Sequence, residues 1–169
     1  MDDITISPIG LVSPDITSKL FILLSQETHY MLQTHEEAMI QSKQQPETSE
    51  RISKSKNTMA LLAFHDHQPV GFCAGTSGIF SRNKATMTFI IGVLKEYWGT
   101  GIAAVLTDNF CQEAKVRGIH RIELTVQTEN HRAITFYRKY KFKQEGIRKE
   151  SLLIQNEWKS EIYMSKILS

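Results

Sequence analysis

An α/β fold with a mixed, mostly antiparallel sheet is predicted by three features of this 169-residue chain. Helical periodicity fills the first third, short apolar runs between turn residues take over after Asn57, and strand and helix alternate through the last third. The order reads β-α-α-β-β-β-α-β-α-β-β. At 19.3 kDa the chain has the length of one domain, residues 1–169. A chain of this size buries about 70% of its unfolded surface, enough for a core without disulfides or structural metal.

Each element has its own signal. Ile4-Thr5-Ile6 alternates as a short strand does. Ser13 suits an N-cap and Pro14 the first helical position, with Ile16, Leu20, Phe21, Leu23 and Leu24 as the apolar face of the helix that follows. Thr34 and Glu37 fit a capping box, in which hydroxyl and carboxylate each satisfy the other's orphan amide, so a second helix is expected to run to about Gln44. Pro46 can open a short third helix within the polar stretch 41–56. Residues 58–64 and 70–76 flank His65-Asp66-His67-Gln68-Pro69 as a hairpin, and 85–93 follow the turn Ser81-Arg82-Asn83-Lys84 as one more strand of an antiparallel meander. Residues 99–117 carry apolar side chains at helical spacing up to the stop signal Gly118. A strand at 119–126, a helix at 130–140 and two strands at 142–154 and 158–168, turning at Gln155-Asn156-Glu157, complete the chain.

Charge narrows the function. A net charge of +2 argues against a dedicated nucleic-acid or membrane-surface binder, although residues 1–56 carry five basic and eight acidic side chains and the remainder is positive. An anionic ligand is therefore expected in the C-terminal two-thirds, while the acidic first third suits a cationic partner. The acidic start Met1-Asp2-Asp3 is unlike a secretory signal and no early apolar run spans a bilayer, which predicts a cytoplasmic protein. Cys73 and Cys111 form no C-x-x-C pair and are expected as buried free thiols. His65 and His67 in a tight hairpin seldom converge with further ligands, and no metal site is predicted.

The most informative segment joins an apolar strand to a long helix: Ile90-Ile91-Gly92-Val93-Leu94-Lys95-Glu96-Tyr97-Trp98-Gly99-Thr100-Gly101-Ile102-Ala103. Glycines at 99 and 101 let the backbone curl and aim successive N–H groups outward at the positive end of the helix dipole, an arrangement that binds phosphate. A helix start that uses its glycines only for packing is the competing reading. The Walker A pattern is absent. Gly99-Thr100-Gly101-Ile102-Ala103-Ala104 satisfies the dinucleotide fingerprint G-x-G-x-x-A, yet five residues separate Val93 from Gly99, no βαβ unit precedes it, and Glu123 sits inside a strand rather than at its end.

The segment 96–103 resembles the pyrophosphate-binding loop of the GCN5-related N-acetyltransferase (GNAT) family, Gln/Arg-x-x-Gly-x-Gly/Ala. Ile122-Glu123-Leu124-Thr125-Val126, Asn130-His131-Arg132-Ala133-Ile134, Tyr137-Arg138-Lys139, Phe142 and Ile162-Tyr163-Met164-Ser165-Lys166 follow at the family's spacing. The resemblance covers residues 58–168 and is specific because the motifs recur in order. Two positions depart from it: Glu96 stands where Gln or Arg is usual, and Lys141 where glycine commonly precedes Phe142.

The resemblance implies a GNAT-like sheet with two splayed parallel strands, helices on both faces, and acetyl-CoA as co-substrate between those strands. Ile91 and Val93 would offer main-chain groups to the pantetheine, and the backbone of Gly99, Thr100, Gly101, Ile102, Ala103 and Ala104 would cradle the pyrophosphate. Asn130 and Tyr137 would lie across the cofactor. The acceptor amine, of a small molecule or peptide, would attack the thioester directly, with a backbone N–H near Val93 meeting the oxyanion. Tyr137, protonated at neutral pH, would be the general acid for the departing thiolate. Glu27, Glu36, Glu123 and a water chain are all conceivable as the base and the sequence selects none. Arg132, Lys139 and Lys141 are candidates for the cofactor's 3′-phosphate or for a solvated helix face. The Trp98-Gly99 loop and Tyr163-Met164 look like the branch with ribosomal-protein, polyamine and small-molecule acetylators, and a homodimer is plausible by resemblance. A non-catalytic acyl-CoA-binding regulatory module is the alternative function.

Overall fold

In the computed structural model, which describes residues 4–168, the elements are β1 (Ile4–Pro8), α1 (Pro14–Glu27), α2 (His35–Ser42), α3 (Gln45–Lys54), β2 (Thr58–His65), β3 (Gln68–Thr76), β4 (Thr86–Thr88), β5 (Ile90–Val93), α4 (Ile102–Val116), β6 (Arg121–Gln127), α5 (His131–Lys139), β7 (Lys143–Ile154) and β8 (Glu157–Ile167). The acidic start at residues 1–3 lies outside the described residues. Strands order as β1-β2-β3-β5 in one sheet and β4-β6-β8-β7 in the other. Every pairing is antiparallel except β4 with β6.

Burial along β2 explains the layering. Met59 through Ala63 are all buried, a continuous run that an antiparallel strand shows only when both of its faces are covered. Met59, Leu61 and Ala63 join the cluster that contains Leu106, Phe110 and Ala114 of α4, whereas Ala60 and Leu62 join Leu20 and Leu24 of α1. Helices therefore sit on both faces. On α1 the inward face is carried by Thr17, Leu20 and Leu24, and Ile16, expected inside, is 38% exposed. The Thr34–Glu37 capping box forms with both of its bonds, at 3.2 and 2.9 Å.

The expected strand at 85–93 is two strands serving two sheets. Thr86–Thr88 runs parallel to β6, and the Phe89 amide still donates to Glu123 O at 2.8 Å. From Ile90 the chain pairs with β3 instead. The break lies at a crowded point: a Cβ on Gly75 would stand 2.2 Å from Thr88 O, so glycine there lets β3 and β4 approach closely. Beyond Phe89, β5 and β6 have different partners and splay apart.

Helix ends refine two further expectations. α4 begins at Ile102 rather than 99, because Gly101 is its N-cap, with φ +95°. α5 ends in a Schellman motif: Phe142 N donates to Tyr137 O and Lys141 N to Arg138 O, both at 3.0 Å. Lys141, where the family commonly has glycine, adopts the left-handed conformation itself, φ +67°. Lys141→Gly should relieve about 1–2 kcal/mol of left-handed strain and lose part of that gain to unfolded-state entropy. A net rise of about 0.5 kcal/mol, or roughly 1–2 °C in Tm, is expected by calorimetry.

Candidate active site

Opening β5 away from β6 creates an edge with free main-chain groups. Leu94 N donates to Val70 O at 2.9 Å, so the pairs alternating with it, Gly92–Phe72 and Ile90–Ala74, turn their hydrogen-bonding groups toward β3. Ile91 and Val93 must then turn theirs toward the splay. The indole of Trp98 confirms the direction, with Nε1 donating to Val93 O at 2.7 Å. Val93 thus has an N–H turned away from β3 with no partner among the described residues while its carbonyl is committed to Trp98, a division the sequence did not reveal.

At the far end of this edge the chain builds a cradle of amides. Gly99 and Gly101 both have positive φ, +82° and +95°. Val105 is the first residue of α4 to donate backward, to Gly101 O at 3.1 Å, so the N–H groups of Ile102, Ala103 and Ala104 precede any intrahelical acceptor. Glutamate and aspartate are absent from the first turn, so nothing anionic in the helix competes for its positive end. Thr100 is turned elsewhere: its hydroxyl donates to Tyr97 O at 2.7 Å and its amide to the same oxygen at 3.4 Å. Ile102 is 1% exposed, with its side chain in the core. Glu96 lines a separate, smaller hollow beside His65 and Thr100, which removes its carboxylate from the cradle.

Edge and cradle line one cleft of about 830 Å³, which runs from α4 and α5 through the splay to α1 and α2. Asn130 and Tyr137 stand on its α5 wall. Asn130 is the N-cap of α5, its Oδ1 accepting from Ala133 N at 3.2 Å, which leaves its Nδ2 without a partner among the described residues. Tyr137 is 7% exposed, its ring packed edge-on to Phe136 and Phe142 at 5.6 Å each. Its hydroxyl makes no hydrogen bond among the described residues, yet no buried side-chain oxygen or nitrogen is left sealed and unpaired, so that hydroxyl opens to the cleft. Burial pushes the phenol above its ordinary range, and the proton stays on oxygen.

Several contacts around the cleft escaped sequence reading. Arg132 stacks on the Trp98 ring, Cζ 3.0 Å from its centroid, and so links α5 to the glycine loop. Burial holds this guanidinium below its ordinary pKa. Glu27 accepts from Lys95 N at 2.6 Å and fixes the loop after β5, and it does not line the cleft. Glu36 lies on the exposed surface of α2, and Glu123 pairs with Arg121 at 3.0 Å, also away from the cleft. Lys139 lines the cleft and Lys141 does not. Cys73 is fully buried while Cys111, expected buried, is half-buried; desolvation pushes both thiols up. Among the described residues no three His, Cys, Asp or Glu side chains gather to hold a metal, and no helix is long and apolar enough to cross a membrane.

A splayed mixed sheet with an amide cradle at its mouth defines a class, and sequence comparison names it. The profile of the Acetyltransferase (GNAT) family matches residues 25–142, and the chain belongs to that family. No curated protein matches. Among solved structures, a GNAT-family acetyltransferase from Streptococcus pneumoniae superposes with a TM-score of 0.87 at 24% identity, covering 98% of this chain and 99% of that one. A ribosomal-protein-alanine N-acetyltransferase from Brucella melitensis gives 0.79 at 21% identity, over 97% and 99%. A putative acetyltransferase from Salmonella typhimurium with its cofactor acetyl-CoA gives 0.78 at 14% identity, over 99% and 95%.

Proposed function

We propose that the protein is an acetyl-CoA-dependent N-acetyltransferase that passes an acetyl group to a primary amine of a small molecule or peptide by direct attack. One observation carries the reading: the unpaired amides of β5, the amide cradle of α4 and an unpartnered, protonated phenol all face the same cleft. The co-substrate would meet the cleft group by group. The N–H groups of Ile102, Ala103 and Ala104 would hold the pyrophosphate, as helix N-termini do. Ile91 and Val93 would pair with the pantetheine as one strand pairs with another. Asn130 would offer Nδ2 from the opposite wall.

Acetyl-CoA supplies a thioester, activated toward nitrogen nucleophiles. Val93 N–H is the donor placed for the acyl oxygen, where charge develops as the amine attacks. Tyr137 donates its proton to sulfur as the thiolate leaves. The names of similar structures, which include alanine and spermidine N-acetyltransferases, agree with an amine acceptor. Two free thiols fit a reducing, cytoplasmic setting. A regulatory module that only binds acyl-CoA would have no need of a phenol kept open to the cleft, and this favours the enzyme.

The direct test is a thermal-shift titration with acetyl-CoA. Saturation at 100 times Kd should add about 2.7 kcal/mol, or roughly 5–11 °C in Tm for a domain of this size. A flat response at millimolar acetyl-CoA would overturn the reading.

A further inference from the structure

We propose that Glu161 binds the acceptor's ammonium, and that the acceptor is a monoamine with an apolar or uncharged body. This rests on the acetyltransferase reading above. Glu161 is the sole carboxylate among the described residues that line the cleft; the charged side chains beside it in that lining are Arg132 and Lys139, both on α5. It is 7% exposed. Oε2 accepts from Arg148 Nη1 at 3.1 Å and Ser151 Oγ at 2.8 Å, whereas Oε1 has no partner among the described residues and is not sealed off, on a residue that lines the cleft. A largely buried carboxylate with one oxygen unengaged is stabilised by a cationic donor.

Its position suits the reaction. Thr88 opposes Glu123 in the parallel pair, and four residues further along β6 Gln127 pairs with Glu161 of β8, beyond the point where the strands splay. Alternation puts Val126 and Ile162 on the face packed with Tyr137, and Gln127 and Glu161 on the other. That second face looks toward the α1–α2 loop, because Gln127 Nε2 donates to His29 O at 3.2 Å. The amine therefore enters from the face opposite the acid. Bound there, it gives one proton to Glu161 Oε1. The freed nitrogen pair forms the C–N bond, the C–S bond breaks with its electron pair leaving on sulfur, and Tyr137 protonates that sulfur. Solvent takes the proton from Glu161 and the one released from the acylated nitrogen, and it reprotonates Tyr137.

The rest of this half of the cleft is uncharged, with Phe21, Met31, Leu32 and Leu152 beside Gln33 and Gln41. A polyamine would leave its further charges without carboxylate partners, and an acidic acceptor would meet Glu161 itself. Among the described residues the acidity of the first third does not reach the site: Asp15, Glu27, Glu36, Glu37, Glu47 and Glu50 all lie off the lining. Arg148 offsets part of the charge on Glu161, which also limits the site to one cation.

The test uses phenethylamine, spermidine and glutamate as probe acceptors, with wild type, Glu161→Gln and Glu161→Asp. Wild type is expected to acetylate phenethylamine with a kcat/KM at least tenfold above the other two probes. Glu161→Gln, which still accepts from Arg148 and Ser151, should weaken phenethylamine binding to the CoA-loaded protein at least tenfold by calorimetry, with Tm and the acetyl-CoA shift unchanged. Glu161→Asp should recover part of that loss. Unaltered phenethylamine binding in Glu161→Gln, a preference for spermidine or glutamate, or no transfer to any probe overturns the inference while the acetyl-CoA shift persists. Loss of that shift in wild type would instead remove the acetyltransferase reading itself.

Discussion

Tyr137→Phe is expected to lower kcat by about two to four orders of magnitude and to leave acetyl-CoA affinity within about twofold. The substitution removes one oxygen whose only neighbour of consequence is the ligand, since the hydroxyl has no partner among the described residues. The ring itself is held by Phe136 and Phe142 and by the Schellman bond from Phe142 N to Tyr137 O, all of which phenylalanine retains. Fold and cleft shape should therefore persist, and single-turnover kinetics should report the chemical step alone. Burial raises the phenol's pKa, which at first sight makes it a poorer acid. A thiolate leaving beside the same apolar wall would be desolvated too, however, and the burial that disfavours phenolate would disfavour thiolate as well, so the proton transfer would depend on the difference between them. The sign also fixes a pH expectation. An ordinary phenol titrates near pH about 10, and a raised one keeps its proton beyond that, so kcat should show no loss from phenol ionisation up to about pH 10. Unchanged turnover in Tyr137→Phe would take Tyr137 out of the acid's role.

The order of elements was legible where each has a local signature, such as the capping box at Thr34 and glycine at 118. Residues 85–93 misled because periodicity reports that a strand exists and not which neighbour it pairs with. Its division at Phe89 is a tertiary matter, decided by Gly75 on one side and Glu123 O on the other. The left-handed turns at Gly99 and Gly101 could be read from glycine spacing, since positive φ is a backbone property that sequence encodes nearly directly. Glu161 could not. Strand alternation sets it on a polar face with Tyr163 and Ser165, and the loop at 28–34 that meets its paired neighbour Gln127 lies more than a hundred residues earlier. The same holds for Trp98, whose indole reaches back to Val93 and whose ring carries Arg132. Such contacts follow from the assembled fold and leave no mark on local pattern.

Gly101→Val should be the most damaging single change to co-substrate binding, by about a hundredfold or more in Kd. At φ +95° a β-branched residue is strongly disfavoured, with a strain of about 1–3 kcal/mol. The backbone can escape that strain only by rotating the N-cap, and the N-cap sets the direction of the amides of Ile102, Ala103 and Ala104. Each hydrogen bond to a charged phosphate contributes about 1.5–3 kcal/mol, so misaiming even two of them accounts for the expected loss. Gly99→Ala separates strain from aim. Gly99 also has positive φ, +82°, but an added Cβ there meets nothing within 4 Å, and the residue stands outside the first turn of α4. It should cost about 1 kcal/mol of stability and much less affinity. Calorimetric titration of acetyl-CoA against both variants, with Tm measured on each, distinguishes the cases. If Gly99→Ala loses as much affinity as Gly101→Val, the glycine loop binds through its overall shape. If only Gly101→Val loses it, the ligand is held by the aimed amides at the start of α4.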